Sequence, residues 1–297
     1  MKISRREALI GLGVIGIVGF GTYSKVYLHN GQLKRLKPKN GKIPADLHVH
    51  LNKDCDPIKV REVLSQPGLV GLTRYHVPNN LLSYQEIKNY PEFEEIKGEE
   101  GILGKLTYNG SSGYVLNCQE ITNFKHHISA LGCKDTITAS SLEDVVKEIH
   151  EQGGIAILNH PYVVPSGKWW PPWEAKYRPI NEEEKRINEI LVELVDEVEV
   201  FNGQCINLLP GIINMNPANE MAKKFAEDHG FKGIATSDAH GREYGQILTS
   251  GIYIPDQDLT FKRLKQYIKN QEFEAVGNYI PGNSFIRGHF PKLENWI

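Results

Sequence analysis

Histidines and carboxylates recur in this sequence beside short apolar runs, twice as pairs two residues apart. Asp46-Leu47-His48-Val49-His50 closes the first such run. In an extended strand, residues i and i+2 point to the same face, so His48 and His50 look the same way. Two imidazoles on one face at a strand end suit a metal ion. Ala235-Thr236-Ser237-Asp238-Ala239-His240-Gly241 pairs a carboxylate with an imidazole at the same spacing. Between them, Tyr75-His76, Cys118-Gln119-Glu120, His126-His127-Ile128 and Asn159-His160-Pro161 each bring a histidine or an acid to an apolar run. A lone histidine at a strand end is ordinarily a satisfied polar residue. A whole series of strand ends so furnished calls for a shared purpose.

Donors of this kind suit zinc, manganese or iron better than magnesium or calcium. They outnumber what one tetrahedral ion needs, which points to two or three divalent ions, with Glu120 suited to bridge. Such a cluster lowers the pKa of water to about 7 and clamps both oxygens of an in-line displacement.

The elements that must position these groups are legible as alternating patterns. Strands are predicted at Ala45–His50, Leu69–Tyr75, Tyr114–Ile121, Ile128–Leu131, Gly154–Asn159, Glu197–Asn202 and Gly233–Ser237. Helices are predicted at Pro57–Ser65, Ser141–Gln152, Glu183–Val195, Ala218–His229 and Leu259–Lys269. Leu142, Val145, Val146 and Ile149 give the second of these its helical spacing. Alternating strands and helices predict an α/β fold with a mostly parallel sheet, closed or nearly closed into a barrel. Chemistry in such barrels gathers at the C-terminal strand ends, which is where the histidines and acids fall.

The 297 residues fit one barrel of about 250 residues behind a short leader. A net charge of -2 offers no general attraction to nucleic acid or anionic membrane. A phosphate would need local cations, and Arg74 and Arg242, beside the histidines, offer planar forks for its oxygens. The scattered Cys55, Cys118, Cys133 and Cys205 read as core thiols. The stiff Trp169-Trp170-Pro171-Pro172-Trp173 segment is either a packed cover or a stacking surface.

The first residues read as a targeting segment. Ser4-Arg5-Arg6 precedes an uncharged, glycine-rich run from Ala8 to Ser24 and resembles a twin-arginine export signal. The run is also barely long enough to anchor in a bilayer, which takes roughly 17–25 residues. Gly11, Gly13 and Gly16 match a dinucleotide fingerprint, but no strand precedes them. Residues 1–35 are thus expected to form an export signal or membrane anchor plus linker, and 36–297 the enzyme domain.

Taken in order, His-x-His, Glu-Ile-Thr, His-x-x-Ala-Leu-Gly, Gly-Gly-x-Ala-Ile-x-x-His-Pro, Glu-Val-x-Asn-Gly and Ser-Asp-Ala-His resemble the PHP (polymerase and histidinol phosphatase) family over Pro44 to Val276. The resemblance implies a distorted seven-stranded (β/α) TIM-like barrel with two or three metals, and a metal-dependent phosphoesterase acting on a small phosphoester. It implies metal-ligand roles for His48, His50, His76, Glu120, His127, His160, Asp238 and His240, with Glu120, Asp238 and His240 in catalysis. His127 matches the motif better than its neighbour His126. Thr73-Arg74-Tyr75-His76 carries Tyr where the family has Asp. An early acid is matched by Asp54 or by Asp56, and Asp56 reads equally well as a helix cap before Pro57. The competing readings are an amidohydrolase-like enzyme, which also begins with His-x-His, and a metal-binding scaffold without turnover.

Overall fold

The computed structural model describes residues 33–77, 79–122, 126–163, 181–209, 213–256, 258–282 and 284–285. Nearly all of the predicted export segment and the whole tryptophan segment lie outside them. No helix among the described residues is long and apolar enough to cross a membrane.

Strand β1 (Lys42–Leu51) is buried along nearly its whole length. Its period of two sends Leu47, Val49 and Leu51 into apolar clusters, with Asp46, His48 and His50 on the other face. Helix α1 (Pro57–Leu64) starts at Asp56, whose carboxylate accepts the Ile58 N–H. Strand β2 (Leu69–Tyr75) lies parallel to β1. After the single turn α2 (Tyr84–Ile87), β3 (Phe93–Glu95) and β4 (Leu103–Tyr108) form a hairpin against β5 (Ser111–Ile121). Strand β5 is parallel to β2.

Strand β6 (His127–Leu131) runs antiparallel to both β5 and β7 (Ile155–Asn159), with α3 (Leu142–Glu151) between β6 and β7. Next come α4 (Glu182–Val192) and β8 (Glu197–Asn202), the latter parallel to β7. The ribbon β9 (Asn207–Leu209) and β10 (Ile213–Asn214) stands apart. Helix α5 (Asn216–Asp228) leads to β11 (Ile234–Thr236), parallel to β8, and then to β12 (Ala239–Gly241), parallel to β1. Strand β13 (Gly251–Pro255), α6 (Phe261–Lys269) and β14 (Glu274–Val276) complete the order.

The result is one mixed sheet whose main path holds nine strands, β11-β8-β7-β6-β5-β2-β1-β13-β14. It is nearly closed, because β11 runs on into β12, which pairs with β1 at the far side of the path. Every run predicted as a strand is one. The expected count of seven is exceeded, since β13 and β14 extend the path beyond β1. The mostly parallel expectation is also corrected. Parallel neighbours need a crossover of a dozen or more residues. The link from Ile121 to His127 is far shorter, so β6 must turn back.

All four cysteines are buried free thiols, as expected from their spacing. Three apolar clusters hold the layers together. Each fully buried Val, Leu or Ile in them contributes about 1.5–3 kcal/mol.

Candidate metal centre

The C-terminal edge of the sheet collects donors from several strands. From β1 come His48 and His50, both 1% exposed. Strand β5 brings Glu120, and β7 ends just before His160. His127 stands at the start of β6, not at its end. Because β6 is reversed, its first residue reaches the same edge as the last residues of its neighbours. Asp238 and His240 arrive on the segment that closes the sheet, with His240 beside His50 in register.

Two donor sets meet on Glu120. Its Oε2 lies 3.3 Å from His50 Nε2 and 3.6 Å from His48 Nε2. Those two nitrogens are 3.0 Å apart, and Asp238 Oδ1 lies 3.4 Å from one and 3.6 Å from the other. Ligands about 2.1 Å from a tetrahedral ion sit about 3.4 Å from each other, and the distances among the His48, His50 and Glu120 atoms are close to that. Glu120 Oε1 faces the other way, 3.0 Å from His127 Nδ1 and 3.5 Å from His160 Nε2. His50, Asp238 and His240 form a third close group.

The electrostatics tell the same story. Burial alone would lower the pKa of His48, but the Asp238 and Glu120 carboxylates outweigh it and hold the imidazole well above its ordinary value. Burial pushes Glu120 up, yet His127 and His48 hold it well below the usual carboxylate range. His160 is raised in the same way by Glu120 and Glu199 against its burial. Buried carboxylates here draw positive charge onto the rings. His240 differs: burial, with His50 beside it, lowers it to about 3, so it is neutral. Its Nδ1 donates to the Asp238 carbonyl oxygen at 2.6 Å. Asp238 Oδ1 is buried without a hydrogen-bond partner, while Oδ2 accepts from Asn202 Nδ2 at 3.0 Å. Such an orphaned carboxylate oxygen costs free energy unless a cation meets it.

Backbone strain coincides with the site. Asp238 has φ +51 and His160 has φ +25, a region that costs non-glycine residues on the order of 1–3 kcal/mol. Gly203, at the end of β8, meets the same segment. A Cβ there would lie 2.9 Å from the Ser237 carbonyl oxygen.

Several predicted site residues lie elsewhere. Tyr75 pairs in register with Glu120, and Arg74 with Gln119 on the opposite face. Arg74 accordingly donates to Thr136 Oγ1, away from the pocket. Arg242 is exposed and ion-paired with Asp54, which accounts for both residues at the surface. Asp56 caps α1. His76 is outside the three donor groups, its Nδ1 lying 3.3 Å from the Glu120 carbonyl oxygen. Asp56→Ala should therefore cost about 1 kcal/mol of stability and leave metal content unchanged. Denaturant unfolding with elemental analysis checks this, and lost metal would restore Asp56 as a ligand.

The glutamate of the Glu-Val-x-Asn-Gly segment has a role that the sequence left unassigned. Glu199 is 1% exposed. It faces His48 Nδ1 at 3.1 Å, accepts the His160 N–H at 2.8 Å, and takes further hydrogen bonds from Asn202 and Thr236. Its spacing with Glu197 on β8 repeats the i, i+2 signal of His48 and His50.

A cavity of about 90 Å3 opens on the centre, lined by Tyr75, Glu120, His127, His160, Asp238 and His240 on one side. Val163, Cys205, Met215 and Phe285 line the other.

No protein-family model and no curated protein matches this sequence. Solved structures do. PsfC from Pseudomonas syringae aligns with 86% of this chain and 100% of its own, at TM-score 0.54 and 15% identity. A two-domain protein from Bacteroides vulgatus containing a predicted PHP-like metal-dependent phosphoesterase covers 84% of this chain and 69% of its own, at TM-score 0.46 and 13% identity. The lesion-specific endonuclease PfuEndoQ from Pyrococcus furiosus covers 79% and 57%, at TM-score 0.48 and 13% identity. The likeness to PsfC is one of fold.

Proposed function

We propose that this chain is a metal-dependent hydrolase of small phosphoesters, built on a nearly closed, distorted barrel of the PHP type. The observation that carries the reading is Glu120, whose two oxygens face separate donor sets, beside the orphaned Asp238 Oδ1. His48, His50, Glu120 and Asp238 would hold one divalent ion, and Glu120, His127 and His160 a second. His240, with His50 and Asp238, borders a third position. Imidazole and carboxylate together favour zinc, manganese or iron. Bound there, such ions would lower the pKa of water toward 7 and steady the oxygens of an in-line displacement.

The protein's own part is positioning. Asn202 pins one oxygen of Asp238 and leaves the other toward the centre. Glu199 orients the His48 ring and the His160 backbone. The apolar wall of Val163, Met215 and Phe285 keeps bulk water off the reacting face. A cavity of this size holds about three waters, the scale of a phosphoryl group. In this reading a twin-arginine-like signal within residues 1–35 carries the folded domain out of the cytoplasm or anchors it.

The test is turnover. The full chain, loaded with manganese or zinc, is assayed against a panel of phosphomonoesters and phosphodiesters. Metal-dependent phosphate release is expected. Bound metal without release from any phosphoester would overturn the reading in favour of C–N or C–O hydrolysis or a scaffold.

Metal loading should also depend on pH. The His48 imidazole, held protonated by its carboxylates, must give up that proton to a metal. Affinity therefore falls as pH falls, and loading releases protons. Titration calorimetry in buffers of different ionisation enthalpy, over about pH 6 to 8, reads both. An affinity flat across that range would contradict the charge balance described above.

A further inference from the structure

A phosphoryl group brings negative charge into the cavity, yet among the described residues its wall carries no lysine or arginine. Arg74 and Arg242, the expected cations, are directed to Thr136 and Asp54. The neutral donors on the wall are mostly spent. The Asn202 amide serves Glu199 and Asp238. The Gln204 amide serves the Asp238 carbonyl and Gln246.

Tyr75 is different. Its ring lies 5.0 Å from that of His50, and its register partner is Glu120. The β2 alternation that sends Arg74 outward turns Tyr75 to the cavity, which it lines. Among the described residues its hydroxyl has no hydrogen-bond partner. A phenol, with an ordinary pKa of about 10, remains a donor at neutral pH.

We propose that Tyr75 is a catalytic residue whose hydroxyl donates a hydrogen bond to a non-bridging oxygen of the phosphoryl group held beside Glu120 and Asp238. This rests on the phosphoesterase reading. The hydroxyl keeps its proton throughout. It stabilises charge that grows on the equatorial oxygens as the leaving group departs, in the place where other sites use a cationic side chain. An interaction that strengthens at the transition state shows in kcat more than in KM.

The experiment compares the full chain with Tyr75→Phe, which keeps the ring against His50 and removes only the oxygen. The substrate is p-nitrophenyl phosphate, and bound metal is measured in both proteins. The expected result is a kcat lower by about 10²-fold, as for loss of one oxyanion donor, with unchanged metal content and nearly unchanged KM. Inhibition by orthovanadate, which mimics the trigonal-bipyramidal state, should weaken far more than inhibition by inorganic phosphate. A variant within twofold of the parent in kcat would overturn the proposal. So would a loss of metal in step with activity, which would make Tyr75 structural. A parent protein that loads metal but cleaves no phosphoester would fail at the first step and take the phosphoesterase reading down with it.

Discussion

Glu120→Gln should lose both metal and activity, with turnover down on the order of 10³-fold or more, the scale reached when charge stabilisation at a catalytic centre is removed. The substitution changes one oxygen to an amide nitrogen and almost nothing in volume. Yet that carboxylate alone faces both donor sets, Oε2 toward His48 and His50 and Oε1 toward His127 and His160. An amide brings no negative charge and offers N–H where a cation should sit. Whichever way it turns, both sets lose the Glu120 charge and one of them meets an N–H. The metal-free protein gives an independent check. Glu120 is held well below the usual carboxylate range by His127 and His48, against its own burial. A depressed carboxylate adds stability that is present above its unfolded pKa of roughly 4.3 and is lost as pH falls through the folded value. Gln has no such contribution, so the variant should unfold more easily than the parent at neutral pH, and the gap should narrow in acid. Elemental analysis and thermal unfolding over a pH series read both effects. A variant that keeps two ions and full turnover would remove Glu120 from the centre.

Period-two alternation made β1 and the placement of His48 and His50 readable, because a buried strand must send successive residues to opposite faces. The same parity could have excluded Arg74. It sits between Thr73 and Tyr75, so a tyrosine turned inward requires an arginine turned outward. Arg242 lay beyond such reasoning, since its partner Asp54 is far away in sequence and is brought near only by the pairing of β12 with β1. The direction of β6 followed from the short link before it. That reversal is what lets His127, at a strand start, share an edge with His160 just past a strand end. The added strands β13 and β14 and the β3–β4 hairpin carried weaker signals. The Phe93–Tyr108 stretch is rich in charge and glycine, and its strands are edge pieces whose pairing depends on β5. Asp56 gave two valid local readings, and the hydrogen bond to the Ile58 N–H favours the cap.

Glu199→Gln should weaken metal binding by about 10–100-fold, the usual cost of removing the carboxylate behind a metal-binding histidine. Turnover should recover in excess metal, which Glu120→Gln would not permit. The reason lies in what Glu199 touches. It receives His48 Nδ1 and so turns Nε2 toward Glu120 and Asp238. It also accepts the N–H of His160, a residue whose backbone has the costly φ of +25. One carboxylate thus fixes a ring in one donor set and the strained chain segment of the other. Burial raises the Glu199 pKa, but the His48 hydrogen bond and charge hold it below the ordinary value, so it is an anion at neutral pH. With Gln in its place, the His48 ring loses the charge that makes it a stronger base and a better ligand, and its tautomer is no longer set. The remaining oxygen can keep the His160 N–H and Asn202 on the Oε2 side while the amide faces Thr236 and His48, so the site should keep its shape and lose affinity. Metal titration of both proteins, followed by turnover at saturating metal, separates orientation from direct ligation. An unchanged affinity would mean that neither the His48 ring nor the His160 segment depends on Glu199. A loss that excess metal cannot restore would place Glu199 among the ligands themselves.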